Sequence, residues 1–287
     1  MTITAQMVKE LRDKTGAGMM DAKKALVEVG GDMEKAMEFL RQKGIASADK
    51  KMGRIAAEGL VGSYVDDSCG AMIEINCETD FVAKNDEFKA LVADFAECVA
   101  KSNYADVETF LASTCEECGK KVEDIVKEKI ASIGEKITVR RFVRYEGNVA
   151  TYIHNGKIGV LLETDAKDEA VAKDVCLHIA SCAPEFVSRA DIPASVIEEE
   201  TRIEMGKEDI ANKPEQIREK IVEGRINKLM ASRCLLEQPF VKNPDQTIAQ
   251  LIEGKFNIKQ FTRFNLGEGL EKRTENFAEE VQKQMAK

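Results

Sequence analysis

The chain has no tryptophan, four tyrosines and two histidines in 287 residues. Each scarcity excludes something. Few large aromatic faces leave little platform on which nucleobases could stack. With only His154 and His178, and no serine or cysteine in a motif that defines its base, nucleophilic catalysis has no visible machinery. No segment reads GxxxxGK[ST], so a phosphate cradle for nucleotide hydrolysis is lacking. Gly16-Ala17-Gly18 has neither the third glycine nor the preceding strand of a dinucleotide fingerprint. No apolar run approaches the roughly 20 residues that span a bilayer. Met1 to Gln6 lacks the basic start and apolar block of a signal peptide, and no Arg-rich transit sequence follows. The expectation is a cytoplasmic binder with no membrane partner.

The eight cysteines are spread widely rather than set in a dense short-loop framework, so reduced thiols are expected. Cys115-Glu116-Glu117-Cys118 is the one pair with ligand-like spacing, and no second pair follows at a distance suited to zinc. We read it as incidental and expect no metal and no cofactor. Net charge is −9 but uneven: residues 1–54 carry +3 and the remainder −12. An acidic body with a mildly basic head argues against direct nucleic-acid binding.

What is present is ordinary for a helix-rich folded protein: 44% hydrophobic and 32% charged residues, at a length that implies two or three domains. The first fifty residues read as three short helices. Thr4 caps the first, with Met7, Val8 and Leu11 on one face. Thr15-Gly16-Ala17-Gly18 separates it from Met19–Val29, whose inward positions include Met20, Leu26 and Val29. Gly30-Gly31-Asp32 stops that helix and caps the next, which turns Met33, Ala36, Met37 and Leu40 inward. Ser47–Arg54 reads as a linker or exposed helix end.

Beyond it lies an internal duplication. Glu58-Gly59-Leu60-Val61-Gly62-Ser63-Tyr64 matches Glu146-Gly147-Asn148-Val149-Ala150-Thr151-Tyr152, and Gly70–Glu74 matches Gly159–Glu163. Arg141-Phe142 before Glu146-Gly147 pairs with Arg263-Phe264 before Glu268-Gly269. The unit is a hairpin, helices and a third strand, used twice: an α+β fold with antiparallel sheets. The second copy is 34 residues longer between its Glu-Gly pairs, and the surplus falls within Pro193–Leu235. There Val196–Met205 and Pro214–Met230 form an antiparallel helical hairpin, with Ile217, Ile221 and Leu229 as an apolar edge.

The first copy alone carries Thr79-Asp80-Phe81-Val82-Ala83-Lys84-Asn85, between the strand Ala71–Ile75 and a helix that turns Phe88, Leu91, Val92, Phe95 and Val99 inward. Asn85 or Asp86 caps that helix. Two readings stay open. Either Asp80 and Phe81 are presented as a charge and an aromatic anchor for a partner, or Phe81 folds into the core while Asp80 merely caps. His178, on the apolar edge of a helix, reads as core. His154 precedes the turn signal Asn155-Gly156 and touches a partner or nothing.

Several separated motifs carry a family likeness. Lys14-Thr15-Gly16-Ala17-Gly18-Met19-Met20-Asp21-Ala22-Lys23-Lys24-Ala25-Leu26 resembles the N-terminal signature of the elongation factor Ts family. Asn76–Lys84 resembles its central signature, and His154–Val160 and Arg263–Lys272 are similar to further segments. One cysteine of the family's first signature is replaced here, at Ala22 within Asp21–Ala25, which does not threaten the mechanism. The resemblance covers essentially the whole chain. It implies an exchange factor for the protein GTPase elongation factor Tu, not an enzyme with catalytic residues of its own, which expels bound GDP during translation elongation. It implies that Asp80 and Phe81 intrude near the Mg²⁺ site of that partner, with Val82 and Ala83 extending the contact, and that Arg12, Met19, Met20 and His154 make further contacts. It also implies a ubiquitin-associated-like (UBA-like) bundle over 1–54. The half-domains are then 55–145 and 146–192 with 236–269. A coiled-coil-like hairpin occupies 193–235 and a C-terminal helical module 270–287. A dimer, or a two-plus-two complex with the partner, stays open. Two other classes compete: an adaptor using residues 1–54 alone, and a metal or redox enzyme built on Cys115 and Cys118.

Overall fold

The computed structural model describes residues 3–116, 119–211 and 213–271. Its contacts divide the chain into two units: Met1–Gly62, Ile73–Phe142 and Asn265–Lys287 in one, Ser63–Met72 and Val143–Phe264 in the other. Helices and antiparallel sheets coexist, as the α+β reading expects.

Three helices open the chain: α1 (Ala5–Thr15), α2 (Met19–Glu28) and α3 (Met33–Lys51). Thr4 caps α1 by accepting the Met7 amide at 3.2 Å, and Asp32 accepts the Lys35 amide at 3.1 Å at the start of α3. Their shared core is Val8, Leu11, Ala22, Ala25, Leu26 and Ala36. The inward placement of Met20 is overturned. The buried face of α2 runs through Ala22, Ala25 and Leu26, because small residues let the helices approach closely, and Met20 is turned out. Of the two readings of Ser47–Arg54, the helix end is the one observed: α3 continues to Lys51.

Next come β1 (Glu58–Val65), β2 (Cys69–Cys77), α4 (Asp80–Ala83), α5 (Asp86–Lys101), α6 (Val107–Ala112), α7 (Val122–Ile133) and β3 (Thr138–Glu146). The sheet order is β1-β2-β3. Every residue of β2 is buried, the polar Glu74 and Asn76 included, and its apolar run Ala71–Ile73 suits a strand covered on both faces. On α5, Phe88, Leu91, Val92, Phe95 and Val99 are all buried, as their spacing predicts, and Phe110 of α6 meets Phe95 edge-on at 5.3 Å. Helix α3 packs on α7: Arg41 pairs with Asp124 at 3.3 Å and Lys51 donates to the Ile130 carbonyl at 3.3 Å. Gly44 permits the approach, since a Cβ there would sit 2.9 Å from that of Ala131.

The second copy is β4 (Asn148–His154), β5 (Ile158–Thr164), α8 (Glu169–Cys182), the hairpin α9 (Ala194–Met205), α10 (Glu208–Ala211) and α11 (Glu215–Arg233), then β6 (Pro239–Phe240), β7 (Asn243–Thr247), α12 (Ile248–Ile252) and β8 (Ile258–Asn265). Its main sheet is ordered β4-β5-β8, the same plan as the first, with β4 and β5 antiparallel and Asn148 opposite Thr164. The turn between them has positive φ at Asn155 and Gly156, the two-residue hairpin geometry their pairing signals. The helical hairpin closes over Ile192, Ile210, Val222, Ile226, Met230 and Cys234. Two details of its expected edge change: Ile217 is exposed, and α10 fills the connection and contributes Ile210.

The repeat is clearest in a buried glutamate. Glu74 on β2 is held by Arg140 and Arg141, at 2.8 and 2.7 Å. Its counterpart Glu163 on β5 is held by Lys259 at 2.9 Å and Gln260 at 2.7 Å. The matching of Arg141 with Arg263 is therefore corrected. Arg263 donates to the Ala180 carbonyl instead, and the positions equivalent to Arg140 and Arg141 lie nearer the start of β8. A buried carboxylate demands donors, not a particular residue type.

Candidate functional site

The Thr79–Asn85 segment is built outward from β2. At its root, the buried Cys77 thiol donates to the Thr79 carbonyl at 3.1 Å. Burial, and then the nearby Glu135 charge, push that thiol up to about 12, so it is inert as a nucleophile. Thr79 has extended backbone, and its hydroxyl accepts the Val82 amide at 3.4 Å, which makes it the N-cap of α4. Asp80 thus stands in the first turn rather than at the cap. Asn85 caps α5 by accepting the Glu87 amide at 2.8 Å. Two capped helices meet end to end, and the single turn Asp80–Ala83 is fixed on both sides.

That turn has an inside and an outside. Ala83 is buried and Val82 half-buried, while Phe81 is 80% exposed. The reading in which Phe81 folds into the core is overturned. The reason is local: Thr79 capping sets the phase of α4, and that phase gives the inward position to Ala83. Lys84 Nζ sits 2.7 Å from an Asp80 carboxylate oxygen and 5.8 Å from the centre of the Phe81 ring. One cation thereby touches both the acid and the aromatic. At this exposure each contact is worth about 0.5–1 kcal/mol or less, so a partner can displace it.

Sequence reasoning missed two supporting residues. Thr79 as a cap was legible from a threonine preceding an acidic first turn. Glu135 was not. It follows the left-handed Gly134 that ends α7, and its carboxylate accepts the amides of Glu78 and Thr79 and the Thr79 hydroxyl.

The other named residues lie on separate elements. Arg12 is in the last turn of α1, with Nη2 2.9 Å from Asp13. Met19 and Met20 open α2 at 49% and 62% exposure. His154 ends β4 in the other unit, with Tyr152 Oη 3.1 Å from Nδ1. His178 is fully buried, 2.8 Å from Gln238 Oε1 through Nε2, while Nδ1 accepts the Val241 amide at 3.2 Å. These bonds fix the neutral Nε2–H form and leave it a core residue. Cys115 is half-buried, and Cys118 lies outside the described residues, as does the chain from 272 onward where the C-terminal helix is expected. Among the described residues no cluster of three or more His, Cys, Asp or Glu is arranged to hold a metal, and no helix is long and apolar enough to cross a membrane.

A family model described as Elongation factor TS matches residues 78–268. Elongation factor Ts of Alkalilimnicola ehrlichii (strain ATCC BAA-1101 / DSM 17681 / MLHE-1) is 48% identical over 290 aligned residues, covering 99% of each chain. The chain belongs to the elongation factor Ts family. The match to the family model takes in the braced loop, β3, the strands of the second copy and the helical hairpin, so the loop that carries Phe81 lies inside the matched region.

Proposed function

We propose that this chain is the guanine nucleotide exchange factor for elongation factor Tu, acting on the GDP-bound GTPase during translation elongation by binding rather than by chemistry of its own. Family membership supports the partner, and the outward Phe81 beside Asp80 on a braced turn is the observation that carries the mechanism. Mg²⁺ neutralises phosphate charge in a GTPase, so dislodging its ligands loosens the nucleotide. An exposed ring recovers about 1.5–3 kcal/mol when it finds an apolar pocket. If that pocket exists only in a nucleotide-poor conformation, the ring favours that state. Asp80 brings a negative charge toward the metal site. Val82 flanks the contact, and Ala83, buried in the chain, seats the turn.

The remaining assignments follow the same reading. Arg12, Met19 and Met20 address the nucleotide domain from a UBA-like bundle over 1–54. His154 addresses another domain of the partner from the half-domain 146–192 with 236–269. The half-domain 55–145 presents the loop, and the hairpin 193–235 and the module 270–287 complete the division. A dimer or two-plus-two complex would use Ile203 and Ile217, each half exposed on the hairpin.

Linkage supplies the test. If the chain weakens GDP binding by some factor, GDP must weaken binding of the chain by the same factor. Titrating the chain against nucleotide-free and GDP-saturated elongation factor Tu should show much tighter binding to the former. Equal affinity for both forms would refute exchange by this route.

A further inference from the structure

The loop that bears Phe81 is tied to the segment after α7 by a reciprocal clasp. Glu135 Oε2 accepts the backbone amides of Glu78 and Thr79 at 3.1 and 3.0 Å, and Oε1 accepts the Thr79 hydroxyl at 2.7 Å. In return Glu78 Oε1 accepts the Lys136 amide at 2.7 Å. Two segments 56 to 58 residues apart thus exchange three backbone amides and one hydroxyl through two carboxylates. Arg54, just beyond α3, pairs with Glu78 at 3.2 Å, and Lys136 Nζ donates to the Arg54 carbonyl at 2.9 Å.

The bonds fall on the residues that decide where Phe81 points. Thr79 sets the phase of α4, so holding both its amide and its hydroxyl fixes the rotation of that turn. Bonds to an ionised carboxylate are charge-assisted, so they resist the torque of an exposed ring more than neutral bonds do. Resting on the exchange-factor reading, we infer that Glu135 is a positioning residue for exchange: it touches no partner, and it orders Asp80 and Phe81 so that their contacts form without a further cost of ordering.

The absence of native tryptophan provides a direct probe. In Phe81→Trp the indole is the chain's sole tryptophan emitter, and its anisotropy reports the order of the loop. Adding Glu135→Ala should lower that anisotropy while the melting temperature of the rest of the chain is kept. In GDP release from elongation factor Tu, Glu135→Ala should reduce the saturated rate roughly tenfold, the scale of losing one or two charge-assisted bonds. Glu135→Gln keeps an acceptor toward the two amides and should restore most of the rate. Thr79→Val removes the hydroxyl with little change of shape and should slow exchange where Glu135→Ala proves too unstable to assay. In a Phe81→Ala background, Glu135→Ala should cost clearly less than it does alone, because most of its effect passes through the ring. An unchanged anisotropy, an unchanged rate in Glu135→Ala, or full additivity with Phe81→Ala would overturn the inference. Failure of the unsubstituted chain to accelerate release would instead remove the exchange-factor reading, since the anisotropy measurement needs no partner.

Discussion

Glu74 Oε2 lies 2.7 Å from Arg141 Nε at a position with no exposure at all on the glutamate side. The other oxygen accepts Arg140 Nη1 at 2.8 Å and the Gly267 amide at 2.9 Å, so one carboxylate joins β2, β3 and the segment after β8. Burial alone would raise its carboxyl, yet the Gly267 amide and the two arginines together hold it below the usual carboxylate range. Replacing it by Gln leaves two arginines facing a neutral amide. Glu74→Gln should cost about 3 kcal/mol, near the low end for breaking a buried pair, because both arginines keep some contact with water. Urea denaturation checks this, and a cost below about 0.5 kcal/mol, typical of a surface change, would deny the hub its role.

The same group predicts an acid sensitivity. Its folded value lies below the unfolded one, so its contribution is fully present above the unfolded range of about 4.3 and is lost as pH falls through the folded value. The urea midpoint should drop more steeply on acidification in the natural chain than in Glu74→Gln. Parallel profiles would contradict the assignment.

Phe81 and Phe88 provide a paired test of exposure. One is 80% exposed and the other fully buried seven residues later. Phe81→Ala should change stability by less than about 0.5 kcal/mol, whereas Phe88→Ala should cost about 3–5 kcal/mol. Thermal melting of the two variants would separate a partner-facing ring from a core ring. Equal losses would place Phe81 in the core after all.

His178 gives a pH signature in the other unit. Burial pushes its imidazole below the ordinary value, with the Gln238 bond pulling modestly the other way. Its neighbours Gln238, the Val241 amide and the Cys182 thiol all suit the neutral ring. Below the unfolded value of about 6.5 the unfolded chain takes up a proton that the folded chain refuses, so stability falls as pH drops from there through the lowered folded value. His178→Gln should flatten that part of the stability profile below about pH 6.5. An unaltered slope would mean that another group governs it.

Much of this architecture was legible in local pattern. The face of α5, the Thr4 cap, the stop at Gly30-Gly31-Asp32 and the twofold use of one sheet plan all follow from spacing and repeated motifs. What stayed hidden depended on distant partners or on close packing. Met20 looked inward because it is apolar, but Ala22 and Ala25 allow the tighter helix contact. The direction of Phe81 was undecided because it hangs on the phase of one helical turn, which the Thr79 cap sets. Glu135 carries no local mark of its role. Only folding brings it to Thr79, 56 residues away in the chain. The repeat misled at Arg263, where likeness of letters pointed to the wrong register, and the demand of a buried glutamate for donors gave the right one.

The central claim is tested most directly by release of fluorescent GDP from elongation factor Tu at fixed Mg²⁺, with and without the chain. The account expects a large acceleration, reduced roughly thirtyfold in Phe81→Ala, the scale of truncating an anchoring aromatic, and lost in Asp80→Ala/Phe81→Ala. No acceleration with an active partner, or full acceleration by the double variant, would contradict it.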